Sequence, residues 1–80
     1  MPRYYFNIVE HQTLIQDKEG QEFPDLRAAR FEARCSARDI AIQELRSDRE
    51  VDGRKIQITD DSGTVLDVLP VKDVVKSLGN

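Results

Sequence analysis

Four arginines, Arg27, Arg30, Arg34 and Arg38, recur every three or four residues in a stretch that reads as helix. At about 100° per residue they project within roughly 80° of one another, and none has an acidic residue three or four positions away. Guanidinium groups placed this way suit bidentate contacts to phosphate or carboxylate oxygens, so the ridge is a candidate site for nucleic acid or another anionic ligand. The plainer alternative is a solvated helix edge that pairs with Asp17, Glu19 and Glu22 of its own chain or of a partner. We favour it, because charge runs usually face water. A net charge of −3 and an aromatic content of 6% also weigh against a polyanion binder, which is normally basic overall.

Other chemistries find less support. His11 is the single histidine and sits in a predicted turn, with no cysteine or second histidine at ligand spacing, so no zinc site is expected. No trio of nucleophile, histidine and orienting carboxylate stands out. Cys35 reads as an inert small hydrophobe on a helix. Asp60 and Asp61 beside Gly63 lack the run of oxygen ligands a calcium loop needs, and no glycine-rich phosphate loop is present. No catalytic residue, metal or cofactor is therefore expected. Met1-Pro2-Arg3 leaves one enzymatic alternative. Removal of the methionine would expose a proline amine at the start of a strand, which is similar to the beginning of the small tautomerases, where that proline is the general base. Those enzymes place a helix directly after the first strand and then a parallel strand, whereas a hairpin is expected here.

The elements that must position these residues follow from periodicity. Arg3 to Val9 is rich in aromatic and β-branched residues and predicts a strand, with Tyr4, Phe6 and Ile8 on one face and Tyr5, Asn7 and Val9 on the other. Glu10-His11-Gln12 breaks the pattern and Thr13 to Asp17 resumes it, predicting a hairpin. Asp17 to Gly20 is turn chemistry. Asp25 is a helix N-cap, Pro24 precedes it, and no proline or glycine interrupts Leu26 to about Asp48. Leu26, Ala29, Ala33, Ala37, Ile40 and Ala41 gather on one stripe, whose small side chains allow close approach to a sheet. Asp52-Gly53 then turns the chain into a second hairpin, Lys55 to Asp60 and Thr64 to Leu69, joined by Asp60-Asp61-Ser62-Gly63 and stopped by Pro70. Val71, Val74, Val75 and Leu78 recur at helical spacing and predict a short C-terminal helix.

Eighty residues make one small domain, here spanning 1–80. Its expected class is α+β: a two-layer ββαββ fold, with a four-stranded antiparallel sheet and one long helix across one face. Phe31, Cys35 and Ile42, joined by Ala28, then lie on the helix side away from the alanines, where a helix resting on a single sheet should be polar. Tyr5, Val9, Ile15, Val65 and Leu69 are expected to face away from the helix too, partly covered by the terminal segment. This surplus apolar surface points to a homodimer or an unknown protein partner. No apolar run approaches the ~20 residues that span a bilayer, and the amino end has no stretch of signal-peptide type. One cysteine cannot form an intrachain disulfide, which leans towards a cytoplasmic location. The expected function is a small non-enzymatic cytoplasmic interaction module.

The residues also carry a resemblance. Met1-Pro2-Arg3-Tyr4-Tyr5-Phe6, Asp17 with Gly20 and Glu22, Asp25-Leu26, Ala28-Ala29-Arg30 and Glu32-Ala33 are matched in the second half by Asp52-Gly53-Arg54, Ile56, Ile58, Asp60, Gly63 and Leu69-Pro70. Together they resemble a family of short bacterial proteins of unknown function, mostly from alphaproteobacteria such as rhizobia. In those proteins phenylalanine commonly follows the final proline, where this chain has Val71, and a smaller residue usually occupies the position of Phe31. The resemblance implies a single small domain and no assigned activity, cofactor or catalytic residue. It also implies that a contact centred on Phe31 is particular to this chain.

Overall fold

A computed structural model describes residues 1–46 and 53–78, without the side chains of residue 45 and residues 75–78. The elements in order are β1 (Arg3–Glu10), β2 (Thr13–Ile15), β3 (Gln21–Glu22), α1 (Leu26–Arg46), β4 (Arg54–Thr59), β5 (Val65–Pro70) and α2 (Val71–Leu78). The sheet runs β2-β1-β4-β5 with every pairing antiparallel, and β3 joins the start of β1 on the same side as β2. This is the expected α+β fold with one added short strand. Ser47, Asp48 and Asp52, placed above at the helix end and the following turn, lie outside the described residues.

The added strand comes from one side chain. The expected strand Thr13 to Asp17 ends at Ile15, because Asp17 uses its carboxylate in place of a ladder. Asp17 Oδ2 accepts from the Phe6 amide (3.2 Å), and Oδ1 accepts from the amides of Glu19 and Gly20 (3.2 and 3.1 Å). Its own amide donates to Asn7 Oδ1 (2.9 Å). Gly20, at φ +68°, then returns the chain to the edge of β1, pairing Arg3 with Glu22 and Tyr4 with Gln21.

α1 begins where its cap says it should: the Ala28 amide donates to Asp25 Oδ1 at 2.9 Å. Ala29, Ala33, Ala37 and Ala41 are fully buried, each 0% exposed, against Ile56 and Ile58 of β4. With only a methyl group at each of these positions, the helix can approach the sheet closely, and the larger side chains come from the sheet and the flanks. Phe23 closes one end, its ring 5.8 Å from Phe6 and 6.1 Å from Tyr4. Val71 and Val74 of α2 enter the same core, so the terminal helix packs on the α1 side and does not cover the far face of the sheet. Val75 and Leu78 lie outside the described side chains.

The sheet register corrects two face assignments. Val9 pairs with Leu14 and Ile8 with Ile15, so Leu14 looks away from the helix and Ile15 shares the helix side. In the second hairpin, Thr59 pairs with Val65 but Ile58 pairs with Asp67, a bulge that inserts Leu66. Strand parity therefore flips between Val65 and Leu69. Val65 and Val68 face outward, whereas Leu66 and Leu69 pack on the core.

Candidate functional site

The arginine ridge lies along the flank of α1 nearest β5. The bulge turns Asp67 to the helix side, where its Oδ2 sits 2.7 Å from Arg30 Nε. A cleft of about 140 Å³ beside this pair is lined by Arg30, Arg34, Ala33, Ile58, Asp67 and Leu69. Among the described residues, Arg27, Arg34 and Arg38 are exposed and form no ion pair within the chain. The expected intrachain partners are elsewhere. Asp17 is bound to backbone, Glu22 pairs with Arg3 at 3.6 Å, and the Glu19 carbonyl accepts from Arg3 Nη1 at 2.8 Å. One arginine of the four is thus held, and by a carboxylate that strict strand alternation would have pointed the other way.

Phe31, Cys35 and Ile42 occupy the outer face of α1 as the spacing predicts. Phe31 is 70% exposed and Ile42 41%, while Cys35 is half-buried. Phe31 is the most exposed large apolar side chain in the described fold apart from Met1.

The uncovered face of the sheet carries polar groups that sequence periodicity did not single out. A shallow groove of about 460 Å³ is lined by Tyr5, Asn7, Leu14, Asp17, Lys18 and Gln57 among others. Asn7 is buried there, held by the Asp17 amide and reaching Gln57 Oε1 at 3.5 Å. A lone asparagine in an aromatic and β-branched strand was the available signal. Tyr5 Oη donates to Asp61 Oδ1 at 2.9 Å, and this bond, with burial second, raises the phenol above its ordinary range. In the adjoining turn, Asp60 Oδ1 accepts from the Ser62 hydroxyl (2.7 Å) and from the amides of Ser62 and Thr64 (2.9 and 3.0 Å). The Ser62 hydroxyl, working against burial and helped by the Thr64 and Ser62 amides, holds this carboxyl below the usual range.

Two other places bear on the chemistries considered above. Arg54 bridges Glu10 and the buried Glu44, at 2.7 Å from Glu44 Oε1, and so ties β1, β4 and α1 together. Pro2 gives its carbonyl to the Phe23 amide (3.1 Å) and borders a cleft with Asp60 and Asp61. β2 and β3 both intervene before α1, an order unlike the tautomerase pattern. His11 forms the two-residue β1–β2 turn at φ 50°. No group of three or more histidine, cysteine, aspartate or glutamate residues able to hold a metal occurs among the described residues. No described helix is long and apolar enough to cross a membrane.

With fold and surfaces in view, the chain belongs to a family of domains of unknown function, DUF6894, whose model matches residues 3–72. The match takes in the sheet, α1 and the first two residues of α2. No curated protein and no solved structure matches the chain.

Proposed function

We propose that this protein is a small non-enzymatic interaction module of the cytoplasm that self-associates through the outer face of α1. The observation that carries this is Phe31, 70% exposed on a helix whose opposite face is already satisfied by buried alanines. Ile42 and Cys35 extend the apolar stripe along the same side, and burying a phenylalanine on association is worth about 1.5–3 kcal/mol. Sedimentation equilibrium across a micromolar concentration series tests it. The wild-type chain should move towards twice its 9.2 kDa mass, and Phe31→Ser with Ile42→Ser should stay at that mass. A strictly monomeric wild-type protein would remove self-association and leave binding to a different protein partner.

A second reading, anion binding, is favoured by one observation: Arg27, Arg34 and Arg38 share an edge and have no ion pair among the described residues. On that reading, retention of a short DNA duplex should fall steeply with salt, and glutamine at the three positions should abolish it. Salt-insensitive or absent retention excludes it.

A further inference from the structure

The seam on the outer face of α1 has charged borders of opposite sign. Phe31, Cys35, Arg38 and Ile42 follow one another at spacings of four, three and four, the alternation of d and a positions in a coiled coil. Arg27 and Arg34 then fall at g, on one border, and Glu32 and Asp39 at e, on the other. None of these four has an ion pair within the chain among the described residues. Arg30, the arginine set furthest from the seam, is the one taken up by Asp67. In each border pair the carboxylate lies five residues after the arginine, Arg27 before Glu32 and Arg34 before Asp39.

That five-residue offset selects an orientation. When two helices pack in parallel about a two-fold axis along the seam, a g residue of one faces the e residue five positions later on the other. Arg27 would meet Glu32 of the second copy and Arg34 would meet Asp39, and the symmetry makes each contact twice. In an antiparallel pair, g faces g and e faces e, which would set arginine against arginine and carboxylate against carboxylate. Resting on the self-association proposed above, we infer that the occupant of this face is a second copy of the same chain, docked with its α1 parallel and in register. The seam is short, but α1 is already folded on its sheet, so association bears no helix-nucleation cost. Arg38 is the weak point. In register, two Arg38 side chains lie side by side, and only their length lets the charged heads escape to water.

Charge reversal in the full-length chain tests this, with mixtures read by native mass spectrometry and folding checked by circular dichroism. Arg27→Glu with Arg34→Glu should weaken the homodimer at least about tenfold, since like-charge pairs destabilise about as much as opposite pairs stabilise. Adding the chain carrying Glu32→Arg and Asp39→Arg should restore a heterodimer. The chain with all four changes should dimerise with itself about as well as wild type, yet refuse to mix with wild type. Arg38→Leu should tighten the wild-type dimer, the opposite of its expected effect on an anion site. Free mixing of wild type with the fourfold variant would mean antiparallel docking, and would overturn the register while sparing self-association. Unchanged dimerisation of the Arg27/Arg34 variant would do the same. A wild-type monomer would overturn both.

Discussion

Gly20 and Gly63 both lie in the left-handed region, at φ +68° and +84°, yet a methyl group would meet different surroundings at each. At Gly20 it would sit 2.7 and 2.8 Å from the Tyr5 ring and 2.9 Å from the Tyr4 carbonyl, whereas at Gly63 nothing lies within 4 Å. Gly63→Ala should therefore cost only its backbone strain, about 1 kcal/mol, and Gly20→Ala at least about 2 kcal/mol by denaturant unfolding. Equal costs would mean that the contact with Tyr5 is unimportant. Asp60 gives a prediction in pH. Its folded-state pKa is lowered, so its contribution is present above the unfolded value and is lost as pH falls through the folded one. The gap in unfolding midpoint between wild type and Asp60→Ala should hold at neutral pH and narrow below the ordinary carboxylate range. A gap independent of pH would show that the charged form of Asp60 is not what the turn uses.

At the scale of elements, α1 was the most legible part of the sequence. Its alanine period, its Asp25 cap and the absence of glycine and proline all specify one helix with one inner face, and Phe31 and Ile42 were placed outside by the same arithmetic. The sheet was legible in its order and less so in its faces. A two-residue turn at His11-Gln12 sets Leu14 opposite Val9, where a longer polar break would have put Ile15, and a one-residue shift exchanges the faces of a strand. The bulge at Thr59 does the same to Leu69, because an inserted residue reverses parity without any mark in an apolar run. The tie between Arg30 and Asp67 was hidden for the same reason. Being half exposed, that pair should be worth only about 0–1 kcal/mol to stability, so Asp67→Asn should hardly change the unfolding midpoint. Ala33→Leu, by contrast, should cost about 1–3 kcal/mol, because it forces the helix off Ile58. A neutral Ala33→Leu would contradict the close helix–sheet contact.

At the scale of the molecule, one layer of helix on one sheet leaves two surfaces without a cover among the described residues. The far face of the sheet presents Leu14, Val65 and Val68 between buried or bonded polar groups, and the outer face of α1 presents Phe31 and Ile42 between charged borders. Both are partly apolar, but only the helix face has borders whose signs complement a second copy of themselves. Resonance-by-resonance dilution in a two-dimensional NMR spectrum separates the two surfaces most directly. From high to low micromolar protein, shift changes should concentrate at Phe31, Cys35 and Ile42 and the charged residues beside them, with Leu14, Val65 and Val68 unmoved. Changes centred on Leu14, Val65 and Val68, or none at any concentration, would contradict it.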